Sequence, residues 1–165
     1  MKNFVTAILI MTVMTITLAG CGNNQNTQTS SLPGTCEEIL NRVYETAELD
    51  PELRDAMQYY ETTAVSEENE EYILGTDDID IKDSVYSAPR MSSIAYQCVL
   101  LRVSQGQNIE KAKQLLLDHA DPRKWVCVEA ESVIVENNGD VILYIMADTA
   151  TAEAIQTAFQ SLTAE

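Results

Sequence analysis

Apolar positions follow three regimes along the chain. From Phe4 to Leu18 they form an unbroken run of 15 residues without a charge. From Gly22 to Gly34 they nearly vanish, and Leu32 is the one large apolar residue of that stretch. From Thr35 onward they recur with the periods of helices and strands, so the foldable part of the sequence starts there.

Thr35-Cys36-Glu37-Glu38 reads as a capping box, with Ile39, Leu40, Val43, Tyr44 and Ala47 following at helical spacing. Asp50-Pro51 predicts a second helix start, with Leu53, Met57 and Tyr60 on one stripe. SEENEE (66–71) reads as a solvated turn, and Asp77 to Asp83 as a short polar segment of about one helical turn. Ser84 to Ser87 predicts a short strand or turn, broken by Ala88-Pro89. Ile94 to Val103 is apolar on both alternating faces except at Gln97 and Arg102, which predicts a central strand.

After a turn at Gln105-Gly106-Gln107, Asn108 caps a helix with Ile109, Ala112, Leu115, Leu116 and Ala120 inward, and Asp121-Pro122 ends it. Lys124 to Val135 reads as a strand region, Asn137-Asn138-Gly139-Asp140 as a hairpin turn, and Val141 to Ala147 as a buried strand. Asp148 or Thr149 caps a last helix carrying Ile155, Phe159 and Leu162. This order predicts an α+β fold, a two-layer sandwich of helices on a small, mostly antiparallel sheet, as one domain over 35–165.

The first regime has its own reading. Fifteen uncharged residues are too few for a comfortable membrane span, which takes about 20, but suit the apolar core of a signal peptide over 1–20. Leu18-Ala19-Gly20-Cys21 matches the lipobox of bacterial lipoprotein signals at all four positions. In such proteins the cysteine thiol receives a diacylglycerol and the chain is cut before it, so Cys21 is the expected lipidation site. Two acyl chains anchor stably where one binds reversibly. The stretch 21–34 then has the composition of a tether, and its thirteen residues after Cys21 would span roughly 20 Å. Cys21 on the outer face of the cell membrane is thus the expected location.

Charge sharpens this picture. The chain carries 10 basic and 26 acidic side chains, and cleavage would remove Lys2 and no acid, taking the net charge from −16 to −17. Such a surface repels nucleic acid and anionic headgroups, so membrane attachment rests on the lipid at Cys21 and no nucleic-acid partner is expected.

Candidate chemistry is sparse. His119 is the single histidine, placed where it meets a helix C-terminus, and alone it supplies too few ligands for zinc. Cys98 and Cys127 fall on two expected strands, where they read as a cross-strand disulfide, a thiol site or two small buried side chains. Asp77, Asp78, Asp80 and Asp83 crowd together but lack the glycine and glutamate of a calcium loop. Arg123-Lys124-Trp125 is the one basic-aromatic cluster, readable as a ligand contact or as a strand start at the core edge. No nucleophile elbow or phosphate cradle appears, so neither catalytic residues nor a metal or cofactor is expected.

YSAPRMSSIAYQCVLLRV (86–103), the helix after it and GDVILYIMADTATAEAIQTAF (139–159) resemble one family of small lipoproteins from Gram-positive anaerobes. That family carries a C-terminal domain of unknown function, and the likeness covers most of 35–163. Ile94-Ala95-Tyr96-Gln97 departs from it, standing where a more acidic strand entry is typical. The resemblance implies architecture and location and brings no activity. The expectation is a non-catalytic binding or accessory module of the cell envelope, its partner an unknown envelope protein or ligand. The alternatives are an envelope hydrolase or thiol enzyme, or a small solute-binding lipoprotein.

Overall fold

The computed structural model describes residues 31–91 and 93–163. The elements are α1 (Cys36–Thr46), α2 (Pro51–Met57), β1 (Glu61–Thr63), α3 (Glu70–Leu74), β2 (Ile81–Ala88), β3 (Gln97–Val103), α4 (Ile109–His119), β4 (Ser132–Asn138), β5 (Val141–Ala147) and α5 (Thr149–Ser161). The strands form one antiparallel sheet in the order β1-β2-β3-β5-β4. Cys21 lies outside the described residues.

Local chemistry sets the helix starts. Thr35 accepts from the Glu38 N–H while the Glu38 carboxylate accepts from the Thr35 N–H, closing the capping box. Asp50, Asn108 and Asp148 cap α2, α4 and α5 through their own side-chain oxygens.

Every residue of β3 and β5 is buried, and their alternation divides the core. Cys98, Leu100, Leu143 and Ile145 face α1 and α5, while Val99, Leu101, Ile142 and Tyr144 face α3 and α4. The α+β class and the antiparallel sheet are as the sequence predicts. The helical cover extends to both faces of the sheet, because strands apolar on both sides cannot leave either one wet.

Three segments differ from the sequence reading. β2 begins at Ile81, so the polar run 77–83 ends in a strand, with a register irregularity between Ile81 and Asp83. β1 pairs with Tyr86 to Ala88 alone, so polar side chains earlier in β2 stay compatible with a strand. The stretch 124–131 is irregular rather than a strand, held by Ala130 N–H to the Pro122 carbonyl (2.8 Å) and Glu131 N–H to the Ala147 carbonyl (3.0 Å). SEENEE contains the start of α3, whose Ile73 and Leu74 are buried.

The two polar residues of β3 are both satisfied. Arg102 is 6 % exposed and donates to Asp140 at 2.9 Å and to the carbonyls of Leu32 and Gly34, each at 2.8 Å. Ser31 joins through its hydroxyl, which contacts Arg102 and Asp140. Asp140 can be there because it sits in the β4–β5 hairpin turn beside Gly139, whose φ of +64° suits glycine. Leu32 itself is buried among the side chains of α1 and α5. The packed chain therefore begins ahead of Thr35, with residues 31–34 fastened to the sheet end where β3 finishes and β5 starts.

Leu32→Ala should lower unfolding stability by about 2–5 kcal/mol, the usual cost of emptying a buried leucine site. Urea titration of the mature polypeptide checks this; a loss near zero would mean that Leu32 only rests on the surface.

Candidate functional site

The opposite end of the sheet gathers more chemistry. There β2 ends at Ala88, β3 starts at Gln97, β5 ends at Ala147 and β4 starts at Ser132. With seven residues per central strand, it lies roughly 20 Å from the Arg102 end.

Lys124 is the centre of this end. Its ammonium donates to the Gln97 side-chain carbonyl at 2.6 Å and to the Tyr72 main-chain carbonyl at 3.0 Å. It also lies 4.5 Å from the Tyr72 ring centroid and 5.8 Å from that of Trp125. Gln97 is wholly buried and gives its amide N–H to the Ile73 carbonyl at 2.9 Å. Lys124 thus ties the irregular 121–131 segment to both β3 and α3. Burial pushes its amine down to about 8, opposed by the nearby Asp121 carboxylate.

A cavity of about 220 Å³ opens beside it, lined by Tyr72, His119, Asp121, Lys124, Tyr144 and Met146 among others. The ends of α3 and α4 form its wall through a close backbone contact. Gly75, the α3 cap at φ +77°, leaves only 2.5 Å between an added Cβ and the His119 carbonyl. His119 is exposed, with Nδ1 2.9 Å from the Leu115 carbonyl one turn back. It terminates α4 as expected, and it shares the cavity with Asp121 and Lys124, a grouping that the sequence alone did not reveal.

The cysteines do not meet. Cys98 is buried in the core beside Tyr44 and Tyr96, and burial pushes its thiol up to about 12. The Tyr44 and Tyr96 hydroxyls bond each other at 2.8 Å, and burial raises both phenols well above their ordinary range. Cys127 is exposed on the irregular segment at φ +61°, and both thiols are free. The cross-strand disulfide is therefore ruled out in this fold, because Cys127 is not on a strand. Cys36 is also buried and free; burial, then the adjacent Asp83 carboxylate, push its thiol up to about 12.

The aspartates separate as well. Asp83 accepts from the Cys36 N–H at 2.7 Å, tying α1 to β2, and Asp80 accepts from Ser104 at 2.8 Å. Asp77 and Asp78 are exposed. Among the described residues no set of three His, Cys, Asp or Glu side chains is placed to hold a metal ion. Nor is any described helix long and apolar enough to cross a membrane.

The sequence reading did not single out the large apolar side chains exposed in the elements at this end, Tyr59 (72 % exposed), Tyr72 (66 %), Met91 (63 %) and Val126 (62 %), of which Tyr72 lies against Lys124. Tyr59 sits at the exit of α2 into β1; Met91 and Ile94 are in the β2–β3 connection; Val126 and Val128 belong to the segment entering β4. The visible signal was Val126 and Val128 themselves, whose alternation imitates a strand.

Lys124 should titrate with a midpoint near 8 in the folded protein, readable from its side-chain carbon resonances. The value lies below the ordinary 10.5, so between about 8 and 10.5 the unfolded chain binds more protons. The burial penalty is full below that window and fades as pH rises, so this group alone makes stability increase with pH. Wild type should gain on Lys124→Met from pH 8 to 10 in denaturant titrations. A midpoint at the ordinary value would show the amine to be solvated. Compared with the models of known protein families, with curated proteins and with solved structures, the chain matches none.

Proposed function

We propose that the chain is an extracytoplasmic lipoprotein, held on the outer face of the cell membrane by lipid on Cys21. Its folded part is a non-catalytic binding or accessory module of the envelope. The observation that carries the reading is Leu18-Ala19-Gly20-Cys21 directly after an uncharged run of 15 residues. The resemblance to small lipoproteins of Gram-positive anaerobes agrees with it and adds no activity.

The geometry supports the same reading. Leu32 and Arg102 fix the point where the segment ahead of α1 joins the domain. A thiol enzyme would need a cysteine beside a histidine and a carboxylate in one cleft. His119 shares its cavity with Glu71 and Asp121, but no cysteine lines it: Cys98 is in the core and Cys127 is on an exposed segment. A two-lobed solute receptor would need more chain than a single five-stranded sheet with its helices.

Cys21→Ser in the full-length protein removes the acceptor thiol. The variant should leave the washed membrane fraction, where the wild type stays. Equal retention of both would overturn the anchoring.

A further inference from the structure

We propose that Lys124 is a nucleophilic amine that captures small aldehydes or ketones as an imine, in the cavity between the ends of α3 and α4 and strand β5. The proposal goes beyond the anchoring reading and does not depend on it. Capture of this kind is a mode of binding and implies no turnover.

Three groups that line this one cavity match a carbonyl compound. The first is the amine itself. Without its third proton, a lysine amine keeps two N–H donors and gains a lone pair. Gln97 Oε1 (2.6 Å) and the Tyr72 carbonyl (3.0 Å) accept two N–H bonds, so the lone pair is what remains for a ligand. Burial favours that neutral form, pushing the amine down to about 8. The second group is Tyr144, which is 1 % exposed and spends its hydroxyl proton on the Met146 sulfur at 3.4 Å. A thioether is a weak acceptor, so a carbonyl oxygen in the cavity competes for that O–H. The third is His119. Its Nδ1 lies 2.9 Å from the Leu115 carbonyl, which only accepts, so Nδ1 carries the proton and Nε2 of the neutral ring is left as an acceptor. Glu71 and Asp121 are the other charged groups of the lining, and Asp121 opposes the loss of the Lys124 proton without cancelling it.

The bond-making step balances. The Lys124 Nζ lone pair attacks the carbonyl carbon as the C=O π pair moves to oxygen. One nitrogen-bound proton passes to that oxygen, with His119 Nε2 as the carrier, and gives a carbinolamine. Its hydroxyl takes a proton and leaves as water while the nitrogen pair forms the C=N bond; the iminium then returns that proton. One neutral amine and one carbonyl compound thus give one imine and one water, with nothing oxidised or reduced. While the product is still an iminium, its single N–H stays on Gln97 Oε1, and the exposed Tyr72 carbonyl turns to water. Size sets the ligand class. The cavity of about 220 Å³ holds roughly seven waters at about 30 Å³ each, room for a carbonyl compound of a few carbon atoms and too little for a polycyclic one.

The test incubates the purified full-length chain with propanal or with pyrenecarboxaldehyde, and traps imines with cyanoborohydride at about pH 7.5. Peptide mass spectrometry reads the rate at each lysine. Propanal should modify Lys124 about tenfold faster than the exposed Lys82 and Lys111. Pyrenecarboxaldehyde should reverse that order. Tyr144→Phe keeps the ring and should slow propanal capture at Lys124 about fivefold, the worth of one hydrogen bond, and leave Lys82 unchanged.

Equal modification of Lys124 and the exposed lysines by propanal would overturn the assignment. So would a preference for Lys124 that pyrenecarboxaldehyde shares, or an unchanged rate in Tyr144→Phe. None of these readings involves Cys21, so the capture site and the anchoring stand or fall separately.

Discussion

A buried guanidinium organises this molecule. Arg102 occupies the middle strand, between Asp83 of β2 and Val141 of β5, and a buried charge in that position is tolerable only when fully bonded. Its partners come from two distant parts of the chain: Asp140 in the β4–β5 turn, and the carbonyls of Leu32 and Gly34 ahead of α1. The same contacts that neutralise the arginine therefore set residues 31–34, the hairpin turn and the centre of the sheet against one another. Removing either set would leave buried groups without partners, a costlier outcome than losing one surface ion pair.

From that fixed point the rest of the layout follows. β3 leads away from Arg102 to Gln97, the strand's other polar residue, and Gln97 is satisfied by Lys124 and the Ile73 carbonyl. One polar residue thus secures each end of the seven-residue central strand: one end receives residues 31–34, the other carries the irregular segment and the small cavity.

Much of the fold was legible because it rests on local rules. The caps at Thr35, Asp50, Asn108 and Asp148 are hydrogen bonds within one turn, and sequence spacing reports them. β3 and β5 announce themselves by being apolar on both faces. What escaped is decided by distant contacts. β1 is three exposed residues with no pattern to read, and α3 is five residues behind Asn69, whose side chain makes no cap bond to the helix. Trp125, Val126 and Val128 have strand-like alternation, but the chain there is held by bonds to Pro122 and Ala147 instead of a neighbouring strand. The site was less legible still. The lowered amine of Lys124 comes from burial against Tyr72 and Gln97, residues 52 and 27 positions away, and no periodicity encodes that.

On the proposed anchoring, the Arg102 end of the sheet lies toward the bilayer and the Lys124 end away from it. It can be tested on the lipid-anchored protein in vesicles containing a headgroup-attached fluorescence quencher. One fluorophore is placed on the exposed native Cys127, and another at Gln105→Cys in a Cys127→Ser background, in the exposed turn after β3. The account predicts strong quenching at position 105 and weak quenching at position 127. Equal quenching, or the reverse order, would contradict it.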